Sequence, residues 1–193
     1  MRIRTGLFCL LTAASISIAA DISKNPSVSL GSEKLFLANV EGSGSEVLLN
    51  EYIRKGETLD TWTVLFAVRR VQTTNGVNDV VGRWKGYLSQ VNSPGLKLKE
   101  EEGSTANDRR FVLAIRPPGD AYLESNVLRF VPTTDGKGVI YYQAAVRVNP
   151  KNESEVNKGL VRQTELAEAL KSVSVTPVEK MPEHTTGAPP PKK

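Results

Sequence analysis

Few residues in this chain could carry covalent or acid–base chemistry, and their spacing excludes most of it. Cys9 is the only cysteine and His184 the only histidine. A serine nucleophile needs a base within hydrogen-bond reach, and one histidine among the closing prolines supplies none to the body of the chain. Zinc needs three or four nitrogen or sulfur ligands, which this composition lacks. Carboxylates remain. Glu100-Glu101-Glu102 is the densest acidic run, but neighbours on a strand point to alternate faces, so it reads as a solvated sheet edge. Glu51 or Glu57 with Asp60 offers the kind of carboxylate pair that glycoside hydrolysis uses. No spacing matches a calcium loop. Gly42-Ser43-Gly44 lies between two strands with no Lys-Ser pair after it, so it reads as a hairpin turn and not as a phosphate loop. Neither a metal nor a cofactor is expected.

A second constellation suits binding better than catalysis. Period-two alternation places Phe111, Leu113 and Ile115 on one face of a strand and Arg110 and Arg116 on the other. In residues 138–148 it separates Ile140, Tyr142, Ala144, Val146 and Val148 from Tyr141, Gln143 and Arg147. With those strands aligned, Arg110, Arg116, Tyr141, Gln143 and Arg147, joined by Arg129, share one open sheet face. Arginine beside tyrosine makes an adaptable surface for anionic or protein partners.

The elements that must position these residues follow from pattern. "KLFLANV" (34–40) and "EVLLNEYIR" (46–54) are β-type runs. From Thr58 the apolar spacing turns helical through Leu59, Trp62, Leu65, Phe66 and Arg69. Thr58 is the N-cap, Arg69 and Arg70 sit at the negative end of the dipole, and Trp62 is in the core. A second helix is expected over Asn78–Gln90, with Val81, Trp84 and Leu88 on one face and Asn92-Ser93-Pro94-Gly95 ending it. Four β-rich runs follow (96–102, 109–117, 122–132 and 138–148), the last three separated by turn chemistry at Pro117–Asp120 and Asp135–Gly138. A final helix over Glu153–Val173 puts Val156, Leu160, Ala167 and Leu170 on one stripe, with Leu166 beside it. The order β-β-α-α-β-β-β-β-α implies an α+β fold: a mostly antiparallel sheet with helices packed on one face.

The ends frame a single domain. "MRIRTGLFCLLTAASISIAA" has the basic start, the short apolar run and the small residues of a cleavable secretory signal over residues 1–19. Cleavage removes the only cysteine, and a domain with no disulfide suits the periplasm or secretion from a bacterium. Residues 20–33 read as a flexible lead-in and 34–175 as one α+β domain. Residues 176–193, with five of the eleven prolines, read as a disordered Pro-rich tail. The formal charge of +4, less Arg2 and Arg4, leaves +2, too little for a nucleic-acid partner. No apolar run after the signal is long enough to span a membrane.

Asn50-Glu51-Tyr52, then Gly56-Glu57-Thr58-Leu59, then Trp62 and Phe66, resemble uncharacterised exported bacterial proteins. The element order is similar to the PsbP/Mog1-type α+β sandwich, which implies a scaffold for binding and assembly. Two functions follow as expectations. One is an exported, non-enzymatic binding or assembly protein acting through the open sheet face on a protein or anionic ligand of the cell envelope. The other is a carboxylate-dependent hydrolase acting on envelope material. Missing histidine and cysteine favour the first.

Overall fold

Valine, leucine, tyrosine and phenylalanine are concentrated in runs of four to eleven residues, and those runs pair antiparallel throughout. The computed structural model describes residues 21–42, 47–91, 93, 96–116 and 122–182. The strands are β1 (Ser27–Leu30), β2 (Glu33–Glu41), β3 (Val47–Ile53), β4 (Val64–Gln72), β5 (Lys97–Glu100), β6 (Arg109–Ile115), β7 (Leu123–Pro132) and β8 (Gly138–Val148). Helix α1 (Gly76–Leu88) links β4 to β5, and α2 (Glu153–Leu170) follows β8. The eight strands form one sheet in the order β1-β2-β3-β4-β8-β7-β6-β5. It is two four-stranded meanders joined along β4 and β8, and α1 carries the chain from the middle of the sheet to its far edge. The α+β class is as the element pattern implied.

The helices do not share a face. Even-numbered residues of β8 (Tyr142, Ala144, Val146, Val148) cluster with Leu166 and Leu170 of α2. Odd-numbered Val139 and Tyr141 cluster with Val77, Val80, Val81, Trp84 and Leu88 of α1, and with Phe111, Leu113, Ile115 and Phe130. One helix therefore covers each side, which corrects the expected one-sided packing. The central strands are apolar on both edges of the pleat because both sides are buried.

The helix expected from Thr58 is a second correction. Residues 59–61 are a turn closed by the Thr61 N–H on the Thr58 carbonyl at 3.1 Å, and β4 begins at Val64. Val64-Leu65-Phe66-Ala67-Val68 is a continuous buried run, a pattern that periodicity alone does not distinguish from a buried helix. Thr58 still caps, but within a turn: its Oγ1 accepts from the Asp60 N–H at 3.3 Å. Trp62 is in the core as expected, 4% exposed, and packs with Leu49, Ile53, Leu65 and Ala67.

Part of the lead-in is structured, since it supplies a short 3-10 turn at Ile22–Lys24 and the edge strand β1. Part of the segment read as tail is docked. Buried Asn50 donates to the Val178 carbonyl at 2.8 Å and accepts from the Val178 N–H at 2.7 Å. The signal segment, the Gly42–Ser45 turn beyond Gly42, residues 92, 94–95 and 117–120 of the expected turns, and the tail from residue 183 lie outside the described residues.

Helix α2 starts at Asn152, whose side chain accepts from the Glu155 N–H at 3.2 Å and donates to the Glu155 carboxylate at 2.9 Å. The pair is a reciprocal cap of the capping-box kind. Glu33 of β2, 8% exposed, is bridged by Arg162 of α2 and by Arg54, which ties the helix to the sheet. The helix comes close to β8 at Gly159, where a Cβ would stand 2.4 Å from Val148 Cγ1. Gly159→Ala should therefore destabilise by about 1–2 kcal/mol, an overpacking cost partly offset by alanine's better helix propensity. Urea unfolding checks it; a variant more stable than wild type would show that α2 can lift from β8 without cost.

Candidate functional site

Helix α2 packs on β7, β8 and β1, and among the described residues nothing covers the β5–β6 strip on its side of the sheet. All four residues of β5 are exposed, and in β6 Val112 and Ala114 are half-buried while Phe111, Leu113 and Ile115, beneath α1, are buried. Register pairs Lys97 with Ala114 and Lys99 with Val112, so both lysines stand on the open side. Between this strip and α2 runs a groove of about 250 Å³ whose walls include Val112, Ala114, Leu123, Val156 and Leu160, with Lys97 and Lys99 along its edge. Leu160 is 53% exposed, although the helical stripe had put it in the core. It sits on the shoulder of the helix that faces the empty strip.

The six residues expected to share one open face do not meet. Arg110 and Arg129 are register partners on the α2 side. Arg129 forks onto Asp108 at 3.0 and 3.1 Å, and its Nη1 donates to the Leu170 and Val173 carbonyls at 3.1 and 3.2 Å. Arg110 lies 4.0 Å from the same carboxylate and donates to the Glu102 carbonyl at 3.3 Å. Arg116 is exposed where β6 ends, its N–H donated to Ser93 Oγ at 3.1 Å. Tyr141, Gln143 and Arg147 lie on the other side of the sheet. Tyr141 and Gln143 are 3% and 6% exposed. The reason is register: Phe111, Leu128 and Gln143 fall in one row, so Gln143 shares the buried side of Phe111 and not that of Arg110.

On that α1 side lies a buried polar row that pattern reading missed. Arg69, 6% exposed, donates to Gln143 Oε1 at 2.9 Å and stands 4.9 Å from the centroid of the Tyr141 ring. Gln143 Nε2 donates to Asn126 Oδ1 at 2.8 Å, and the Tyr141 hydroxyl donates to Gln143 Oε1 at 3.2 Å. Burial pushes the Tyr141 phenol above its ordinary pKa, against the pull of the Arg69 charge. Arg147 is held flat between Trp62 and Tyr122, 3.8 and 4.2 Å from their centroids, and donates to the Asp60 carbonyl at 2.8 Å. These contacts are structural ones, since buried polar groups are costly unless paired, and here only Asn126 Nδ2 and Arg147 Nε are buried with no hydrogen bond among the described residues. Arg69 was hidden by the misread helix: on a strand, Arg69 and Arg70 point to opposite sides.

Glu51, Glu57 and Glu100 are likewise engaged, whereas one buried oxygen of Glu101 has no hydrogen-bond partner among the described residues. Glu51 accepts from Asn39 at 2.9 Å, and Glu57 accepts from the Thr63 hydroxyl at 2.5 Å and from the Arg54 N–H at 3.3 Å. Glu100 receives the Arg109 fork at 2.5 and 2.9 Å, and those hydrogen bonds hold its carboxyl below the usual range. Among the described residues no group of three or more histidine, cysteine, aspartate or glutamate side chains could hold a metal ion, and no helix is long and apolar enough to cross a membrane.

No curated protein and no solved structure matches the chain, so the likeness to the PsbP/Mog1-type sandwich finds no support there. A family model matches residues 26–175, from the threshold of β1 to the segment beyond α2, and the chain belongs to that uncharacterised protein family.

Proposed function

We propose that the protein is an exported, non-enzymatic binding or assembly protein that receives an amphipathic helix of a partner protein on the open strip over β5 and β6. The observation that carries this reading is the apolar groove between α2 and the strip, with half-exposed Leu160 above Val112 and Ala114. A second helix laid beside α2 would sit at ordinary helix–helix and helix–sheet spacings and bury that apolar surface, worth about 25 cal/mol per Å². Lys97 and Lys99 argue for a helix with acidic residues along one flank. They also argue against strand addition at β5, because lysines on an edge strand oppose pairing with another chain. Export rests on the signal-like residues 1–19.

The test is zero-length carboxyl-to-amine cross-linking of the mature protein in envelope extract. Cross-links from Lys97 and Lys99 to acidic residues of one helical segment are the expected result. Leu160→Asp should lower stability by about 1–2 kcal/mol, from half-buried apolar surface and aspartate's weaker helix propensity, and leave the fold intact, yet weaken the partner at least about tenfold, as loss of an apolar anchor does. A partner that cross-links elsewhere and is kept by the Leu160→Asp variant would overturn the assignment.

A further inference from the structure

At the opposite end of α2 the same side of the sheet holds a different kind of cavity. It is a cleft of about 670 Å³ between the β7–β8 hairpin and the segment after α2. Its floor is Val131, Ile140 and Tyr142, and its cations are Arg70, Arg129, Lys137 and Lys171. Each of the four comes from a different element: β4, β7, the hairpin turn and the end of α2. One carboxylate, Asp135, stands at the rim. It is folded into its own turn, accepting from the Thr133 hydroxyl at 2.6 Å and the Lys137 N–H at 3.0 Å.

The cations are not equally committed. The Arg129 fork and Nη1 are bonded to Asp108 and to two main-chain carbonyls, so Arg129 positions the wall of the cleft. Among the described residues Arg70 has one charged contact, at 3.3 Å with Glu179, which is 57% exposed. Among the described residues Lys171 pairs only with exposed Glu168, three residues back in the chain. Lys137 has no ion pair among the described residues. Exposed pairs of this kind are weak and exchange readily.

We propose that this cleft binds a phosphoryl-bearing polyanion, held by Arg70, Lys137 and Lys171, and that Glu179 occupies Arg70 until the anion displaces it. A lone carboxylate would saturate one guanidinium and leave the other two cations unmet. A phosphoryl group carries a charge near −2 and three acceptor oxygens, and Arg70 is built to fork onto it. The hydroxyls of Thr134, Ser174 and Thr176 line the same space. The source is either a soluble phosphate ester or a membrane surface, where neighbouring phosphodiester headgroups of one charge each supply the polyanion together. The cleft and the groove lie at opposite ends of α2, so either site can fail without the other.

The experiment is titration calorimetry of the mature protein with pyrophosphate, beside flotation with phosphatidylglycerol and with phosphatidylcholine vesicles. Pyrophosphate should bind and weaken with added salt. Arg70→Ala combined with Lys137→Ala should weaken it at least about tenfold, because two charge-assisted contacts are lost. Glu179→Gln should tighten it several-fold, and Lys158→Ala, exposed on α2 away from the cleft, should leave it unchanged. Should the Arg70 variant unfold, Lys137→Glu with Lys171→Glu, both exposed, makes the same test. Flotation with phosphatidylglycerol alone assigns the phosphoryl group to a membrane surface; pyrophosphate binding without flotation assigns it to a soluble ester. Binding to none of these probes, or binding that survives the paired substitutions, would overturn the proposal, and an unchanged affinity in Glu179→Gln would remove the displacement step.

Discussion

Trp84→Ala should lower the stability of the domain by about 3–5 kcal/mol, the usual cost of deleting a large buried aromatic. Trp84 is 3% exposed and is the hub of an aromatic cluster beneath α1. Its ring lies 5.3 Å from Phe111 and 5.3 Å from Phe130, which stand edge to face with each other at 5.9 Å. Phe130 in turn stacks on Tyr141 at 4.6 Å. Such pairs contribute beyond area burial, about 0.5–1.5 kcal/mol each, so the upper half of the range is expected. Domains of this size are stable by only about 5–15 kcal/mol, and the variant should sit close to its unfolding threshold. Urea denaturation at unchanged m-value is the measurement. Trp84→Phe, which keeps a ring in the site, should recover at least half of the loss. A shift below about 1 kcal/mol for alanine would mean that α1 does not close this side of the sheet.

The elements with a clear local signal were legible in the sequence. Helix α1 showed itself through Val81, Trp84 and Leu88, and these residues are buried at 3–4% exposure. Strands β6, β7 and β8 were delimited by turn residues and β-branched runs. The failures share one physical cause. Period-two reasoning assumes that a strand has one wet face, whereas β4 and β8 are central strands with a helix or loop against each side, so apolar residues occupy both. Val64–Val68 then looked like part of a helix, and β8 looked like a strand with one open face. The missing reading of β4 also cost the topology, since β4 is the strand that joins the two meanders.

The candidate site was less legible than the fold because it depends on register, which no single strand reveals. Arg110 and Gln143 each had the right local pattern for a polar face, yet a one-residue offset between β6 and β8 reverses their relation. Arg147 reads as an exposed strand arginine, and only the structure brings Trp62 and Tyr122 against its two faces. The groove could not be read at all, because it exists where α2 stops short of β5 and β6, and Leu160 looked like any other core position. The cleft was partly visible: Arg129 was singled out as a binding residue, and it lines that cavity, although its donors are turned to holding the wall.

Arg129→Ala carries the second large expectation, a loss of about 2–4 kcal/mol that falls mainly on one region. The guanidinium is the knot between three parts of the chain: the Thr105–Asp108 turn through Asp108, β7 through its own backbone, and the end of α2 through the Leu170 and Val173 carbonyls. Its side chain is only 15% exposed. Removing it leaves the Leu170 carbonyl with only the Val173 N–H at 3.4 Å and takes the Arg129 donor from the Val173 carbonyl, and a lost charged hydrogen bond costs about 1.5–3 kcal/mol. The full penalty for breaking a buried pair, about 3–5 kcal/mol, is not expected, because Asp108 is 36% exposed and can regain water. Arg129→Lys should recover less than half, since an ammonium cannot fork onto a carboxylate and reach two carbonyls together. The distinguishing readout is local. Amide exchange over residues 167–179 should speed up in Arg129→Ala far more than in β2–β4, because the segment after α2 is otherwise tied by Asn50, by the Tyr142 hydroxyl at 3.3 Å from Val175 and by the exposed Glu179 pair. A uniform loss of protection across the sheet would instead make Arg129 a member of the global core, and the wall of the cleft would then be as rigid as the strands beneath it.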